Sequence, residues 1–368
     1  MTFAKRIALL LLTAIIAAIV VLLNSTRWLR SFGGAMDGRR LTRAERSTHF
    51  NNGKFRNDEP TEILKTSKLE LLRRQIFGRE QRTPAAPVPV EMRSSADYAT
   101  PPASGLRATW IGWATVLLEI DGAVILTDPM WSERCSPSQL VGPKRFHQPP
   151  IALRDLPRVD AVVVSHDHFD HLDMATVDFL ASRGTHFFVP LGVGVHLDRW
   201  QVPPAQIHEL DWNESASLRG ITFTATPARH YSGRDPRHRD ETLWSSWVIA
   251  GPSHRVFFSG DSGPTAAFRR IGATHGPFDL VLMKIGASDP AWPEIHVTPE
   301  EAVQAAVDLR ARLMLPVHWA TFNLAYHAWR DPADRAVVAA KRAGLPIVVP
   351  KIGQLVEPSS PPALEGWW

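Results

Sequence analysis

Cysteine is nearly absent: Cys135 is the single one in 368 residues. That excludes an internal disulfide and any metal site built from cysteine pairs, and a lone cysteine reads as a small buried filler. No long block of Lys or Arg occurs, and the formal net charge of +4 is mild for this length. Charge therefore gives no ground for a nucleic-acid partner; it reads as a solvated surface slightly richer in cations. Internal repeats are missing as well. What remains, 44% hydrophobic and 21% charged residues, is the texture of an ordinary globular chain long enough for a sizeable core.

One stretch lacks charge altogether. Ile7 to Leu23 is almost wholly aliphatic, with Lys5 and Arg6 before it and Arg27 and Arg30 after it. As a helix it rises about 25 Å, near the lower limit for crossing a bilayer. Residues 1–30 are therefore expected to be a membrane anchor, with a signal sequence as the alternative. The basic residues after the run favour a cytoplasmic domain, whereas the short basic start resembles an export signal, so the membrane side stays open.

Residues 31–104 read as an N-terminal extension and linker. Residues 24–60 are polar, Gly- and Arg-rich, and are expected to be a tether or a loosely packed extension. "TEILKTSKLELLRRQIF" (61–77) has an imperfect helical spacing, and "TPAAPVPV" (83–90) reads as an extended connector. From residue 105 to 355 the texture changes. "ATVLLEI" and "AVILTDP" flank Asp121-Gly122, a strong hairpin signal. Short apolar runs follow at 161–165, 185–189, 221–226, 255–259, 280–285 and 313–317. Helical stretches lie between some of them. The clearest is "TPEEAVQAAVDLRARL", with Thr298 as cap, Pro299 in the first turn and Glu301 completing a capping box. Mixed strands and helices over this length indicate an α/β layered domain. Residues 356–368 form a C-terminal tail.

The run "DAVVVSHDHFDHLD" (160–173) carries the chemistry. A buried strand ends in His166-x-His168-x-Asp170-His171. Neutral imidazole and carboxylate are ligands of borderline divalent metals, and these types suit zinc or iron. His166 and His168 can share one ion while Asp170 and His171 reach a second. Four ligands do not complete two sites, and later strand ends supply candidates: His230 in "TATPARHYSGR", Asp261 in "VFFSGD" and His318 in "LMLPVHW".

"SHDHFDHLD", "PARHYSGR", "FFSGDSG", "KIGASDPAW", "HVTPEEA" and "LPVHWATF", in this order, resemble the metallo-β-lactamase fold. More narrowly they resemble its phospholipase D branch, typified by the enzyme hydrolysing N-acylphosphatidylethanolamine and its bacterial relatives. The likeness runs from about residue 106 to 350, and "NNGKFRNDEPT" (51–61) is similar to the family's N-terminal region. The resemblance implies a four-layer αβ/βα sandwich whose catalytic domain is 105–355. It places two divalent ions, usually zinc in this branch and manganese or iron in others, in a cleft at one edge. His166, His168 and His230 would hold one ion, Asp170, His171 and His318 the other, and Asp261 would bridge them. A bridging hydroxide would then cleave a phosphodiester, with His296 orienting phosphate or assisting the leaving group. The expected substrate is N-acylphosphatidylethanolamine or a related phospholipid. A lactonase or other carbonyl-ester hydrolase is the alternative, and a non-catalytic metal-binding membrane protein a further one.

Asp128, in "ILTDP", is a candidate for orienting a ligand histidine, or a plain turn residue. Trp113 stands where relatives often carry a polar residue, so it alters the site's polarity if it touches it. Trp292 and Trp319 are candidates for lining an apolar, lipid-accepting cleft. The expected partners are that substrate and a membrane held through the N-terminal helix, with no nucleic acid. Residues 51–77 either pack on the domain or mediate a homodimer. The resemblance to bacterial proteins places the chain at an inner membrane.

Overall fold

The computed structural model describes Lys5, Leu12, Thr13, Ile15, residues 28–235 and residues 237–368. Among these, the order begins with helix α1 (Gly38–Ala44), strands β1 (Phe50–Asn51) and β2 (Lys54–Phe55), and helix α2 (Lys68–Phe77). One sheet then collects β3 (Leu106–Gly112), β4 (Thr115–Ile120), β5 (Ala123–Thr127), β6 (Ala161–Val163), β7 (His186–Pro190), β8 (Ile207–Leu210) and the late β15 (Leu355–Val356), with α3 (Met174–Ser182) and α4 (Gly194–Arg199) lying between its strands in sequence. The other collects β9 (Ser215–Leu218), β10 (Ile221–Thr226), β11 (Ser246–Ala250), β12 (Arg255–Phe258), β13 (Leu280–Lys284) and β14 (Met314–Val317), interleaved with α5 (Ala267–His275), α6 (Pro299–Asp308) and α7 (Asp331–Ala343). Strand orders are β15-β3-β4-β5-β6-β7-β8 and β14-β13-β12-β11-β10-β9.

The layers follow from strand periodicity. Alternate residues of a strand face opposite sides. In β6, Ala161 and Val163 join the core between the sheets, while Val162, with Val164 just beyond, joins the core under α3 and α4. In β7, Phe188 faces inward and Phe187 and Val189 outward. Phe188 stacks on Phe223 of β10 across the sheet interface at 3.9 Å, an aromatic pair of the kind that adds ~1 kcal/mol beyond its burial. On the far side, Ala302, Val303 and Ala306 of α6 and Ala333, Ala336 and Ala340 of α7 cover the second sheet. The result is a helix–sheet–sheet–helix sandwich, the expected fold class.

The Asp121-Gly122 hairpin forms, with Ile120 opposite Ala123. The expected capping box also forms: Glu301 N donates to Thr298 Oγ1, and Thr298 N donates to Glu301 Oε2 at 2.8 Å. Val307 of α6 is 39% exposed, so the buried apolar stripe of that helix is narrow.

The extension departs further. Instead of a tether, residues 36–60 pack tightly. Ala44 and Phe55 share a core with Trp212, Leu243 and Trp244, and Arg40 pairs with Asp198 and Glu209. The expected helix over 61–77 is confined to Lys68–Phe77. The connector at 83–90 is extended, but it ends docked: Val88 is buried and Val90 bridges Ile352. The tail is also seated. Trp367 donates to the Val349 carbonyl at 3.0 Å and stacks on Trp319. The expected membrane helix at Ile7–Leu23 lies, apart from Leu12, Thr13 and Ile15, outside the described residues; among the described residues no helix is long and apolar enough to cross a membrane.

Candidate metal centre

In open α/β sheets, ligands gather beyond the carboxyl ends of the strands. Here those ends lie at one edge of the sandwich. His166, His168, Asp170 and His171 follow β6, His230 follows β10, Asp261 follows β12, and His318 follows β14 directly. Six imidazoles and two carboxylates converge in four overlapping groups: His166 with His168 and His230; His166 with His171 and Asp261; Asp170 with His171 and His318; and His230 with Asp261 and His296. Within each group the ligand atoms lie no more than 4.8 Å apart. His171 Nε2 is 3.2 Å from both Asp170 Oδ2 and His318 Nε2, and 3.5 Å from Asp261 Oδ2. His318 Nε2 lies 3.1 Å from Asp261 Oδ1. All seven expected ligands are therefore brought together, and His296 joins them through Asp261, at 3.8 Å.

Two observations test whether cations suit this cluster. First, the tautomers are set from outside. His171 Nδ1 donates to Asp128 Oδ2 at 2.6 Å, and His230 Nδ1 donates to the Ile295 carbonyl at 3.0 Å. Each bond leaves an Nε2 lone pair turned into the cluster, as a ligating histidine requires. Second, His230 Nε2, Asp261 Oδ1 and His296 Nδ1 are buried without a hydrogen-bond partner. Orphans of this kind are costly unless something else binds them. Burial lowers the His230 imidazole to about 3 and holds His166 well below the usual histidine range, which keeps both neutral. Burial alone would raise the Asp261 carboxyl, but its interactions with the adjacent His318 and His171 imidazoles outweigh it and hold Asp261 well below its ordinary value. Burial would lower His171, but Asp170, Asp261 and Asp128 outweigh it and hold its imidazole well above the ordinary range, so this carboxylate-rich side of the cluster attracts positive charge. Neutral His166 and His230 beside ionised carboxylates form a divalent-metal donor set, and the residues fit such ions.

The supporting residues are strained or closely fitted. Trp113 (φ 53°), Asp128 (φ 32°) and His318 (φ 65°) all have left-handed backbones, each costing about 1–3 kcal/mol. Gly260, before Asp261, also has a left-handed φ of 53°, and a Cβ there would sit 2.4 Å from the Ser165 side chain. Only glycine lets those two strand ends approach. Asp128 is not a plain turn residue: besides His171 it accepts from the Ser165 amide and hydroxyl, both at 2.6 Å. Trp113 does touch the cluster. Its Nε1 donates to Asp170 Oδ2 at 3.1 Å, and its ring lies 3.9 Å from that of His318.

Trp292 donates to the Ala287 carbonyl and faces Tyr326, so its polar edge serves its own loop. Trp319, expected to line a cleft, is instead buried between Trp110 and Trp367. His168, Asp170 and His296 are the members of the cluster that are not fully buried, and they mark its open side.

Several contributors were not singled out by residue type, although each lies in a stretch that resembles the family. Asn57 of the extension forms two hydrogen bonds with the His230 backbone, at 2.8 and 3.0 Å. Asp167, inside the motif, accepts from Gly233 N, Thr242 Oγ1 and His196 Nε2. The buried Arg234 donates to the carbonyls of Asp167, Leu172 and Ser31, and lies 4.0 Å over the Phe169 ring. These bonds clamp both ends of the His-rich turn. Tyr231 packs against His168 at 4.5 Å, beside a cavity of about 220 Å³ that Asn57, Pro60 and Ile63 help to wall.

The chain matches the model of the β-lactamase superfamily domain over residues 124–319. It is 48% identical over 332 residues to an uncharacterized protein of Mycobacterium tuberculosis, covering 88% of each chain. It is 38% identical over 249 residues to N-acyl-phosphatidylethanolamine-hydrolyzing phospholipase D 1 of Caenorhabditis elegans, covering 63% of this chain and 69% of that one. Igni18, a metallo hydrolase from the archaeon Ignicoccus hospitalis, superposes with a TM-score of 0.53 at 23% identity over 68% of this chain and 97% of that one. Because the family model spans the strand ends that carry the His/Asp cluster, and because the archaeal structure shares the fold, the chain belongs to the β-lactamase superfamily.

Proposed function

We propose that this chain is a metal-dependent hydrolase of phosphodiesters, acting in the phospholipase D sense on N-acylphosphatidylethanolamine or a related phospholipid. The observation that carries the hydrolase reading is the convergence of six imidazoles and two carboxylates, with tautomers set from outside and orphaned atoms turned inward. The similarity to the C. elegans phospholipase D supports the choice of substrate. The wealth of imidazole suits zinc, with manganese or iron as alternatives.

Divalent ions bound there supply Lewis acidity, acidifying a water and drawing charge from a phosphoryl oxygen. The chain's own residues set the geometry. Asp128 and the Ile295 carbonyl keep His171 and His230 aimed inward. The Trp113 indole holds Asp170 in place. His296 stands on the open side of the cluster, its Nδ1 3.8 Å from Asp261 Oδ2, where the imidazole can orient a phosphoryl oxygen of the substrate.

The test is product analysis. Purified, zinc-loaded protein is given N-acylphosphatidylethanolamine in mixed micelles, and products are read by mass. Phosphatidic acid together with N-acylethanolamine is the expected pair. An intact diester, in a preparation that opens acyl lactones, would overturn the reading.

A further inference from the structure

Helix α2 (Lys68–Phe77) turns its apolar side away from the protein. Leu69, Leu72, Ile76 and Phe77 are 76%, 55%, 62% and 72% exposed, and no residue of the helix is buried. Positions 69, 72 and 76 share one face at helical spacing, with Phe77 beside them. The helix is not simply loose. Ser67 caps it, accepting from Glu70 N at 3.1 Å. Arg74 makes a bidentate bond to the buried Asp289, 2.7 Å in each arm, and Arg82 donates to the Arg74 carbonyl. Both guanidinium groups lie over the Tyr326 ring, at 4.6 and 4.7 Å. Polar contacts therefore fix the helix and leave its apolar face outward.

The charges beside that face are mainly positive. Lys68 and Arg79 are exposed there, and the nearby anions Glu70 and Glu80 are balanced by Arg73 and Arg82. An apolar stripe bordered by cations suits a helix lying in the headgroup plane of an anionic bilayer. Pairing of α2 with a second copy is disfavoured, because a two-fold contact would bring the cations of one copy close to those of the other. A ten-residue helix face also falls well short of the ~800 Å² per partner that stable protein interfaces bury. The same chain carries the uncharged run Ile7–Leu23. Moreover, Asp289, which holds α2, lies in the loop that leads to His296 on the open side of the cluster.

We propose that α2 is an interfacial helix, laying Leu69, Leu72, Ile76 and Phe77 into the headgroup region of an anionic lipid bilayer and holding the opening of the metal centre at the membrane surface. The purpose of this docking rests on the phospholipid reading; its test reads docking without turnover.

The single native cysteine, Cys135, is buried, so Leu72→Cys in the full chain takes an environment-sensitive fluorophore at one place. Val338→Cys, on the exposed side of α7, is the control. With phosphatidylglycerol vesicles, the label at 72 should shift to the blue and lose at least tenfold of its quenching by iodide. Phosphatidylcholine vesicles or high salt should weaken the effect, and the label at 338 should not respond. A label at 72 that stays fully quenchable overturns the proposal, whether or not the chain sediments with the vesicles. A shift that needs no vesicles and grows with protein concentration also overturns it, in favour of a second copy. Either failure leaves the micellar product analysis standing.

Discussion

Asp128 holds an unfavourable backbone so that one carboxylate can receive His171, the Ser165 amide and the Ser165 hydroxyl together. In Asp128→Asn an amide nitrogen can face His171 Nδ1 and favour the other tautomer, so metal affinity should fall about 10- to 100-fold with the fold intact. Competition with a fluorescent chelator measures this, and unchanged affinity would deny Asp128 its orienting role. Arg234→Lys should loosen the same turn, since an ammonium cannot reach the three carbonyls that the guanidinium spans; about tenfold faster metal loss to chelator is expected. The His/Asp cluster was legible in the sequence because imidazoles at strand ends have few other reasons to gather. Asp167, Arg234 and Asn57 were not, since a buried clamp and a solvated charge look alike until the chain folds. The left-handed backbone of Trp113 and its bond to Asp170 were likewise out of reach, although its position had raised the question.

At the scale of elements, hairpins and caps were readable from local chemistry. Asp121 shows why such turns matter beyond themselves. It accepts from His254 Nδ1 at 2.7 Å and from the amides of Ser253 and His254, tying the β4–β5 turn to the β11–β12 turn. Burial would raise its carboxyl, but His254 and these amides outweigh it and hold the folded value below the ordinary 3.8. A depressed carboxylate contributes stability that is present above the unfolded value and lost as pH falls through the folded one. Asp121→Asn should therefore cost about 1 kcal/mol near neutral pH, with the gap to wild type narrowing below about pH 4 in urea unfolding. An equal gap at both pH values would contradict the linkage. Thr298→Ala should cost ~1 kcal/mol by removing the cap of α6, two residues beyond His296. Helix α2 was half legible: a helical spacing could be seen, but nothing in it revealed that its apolar face points outward.

For the whole molecule, the extension is a working part of the catalytic body. It passes His196 and Arg234 at residues 31–34, His230 at Asn57, and Asp289 at Arg74. The polar, Arg-rich composition that suggested a tether reflects side chains paired on a surface, with few buried positions such as Ala44 and Phe55 to betray the packing. Deleting residues 1–60 should abolish cooperative thermal unfolding by uncovering Trp212, Leu243 and Trp244. The most direct test of the account counts metal. Protein purified under native conditions and analysed by inductively coupled plasma mass spectrometry should carry two divalent ions per chain, falling to one in His168→Ala. A chain that holds none after zinc loading, or a His168→Ala variant that still holds two, would contradict the paired metal centre on which the reading rests.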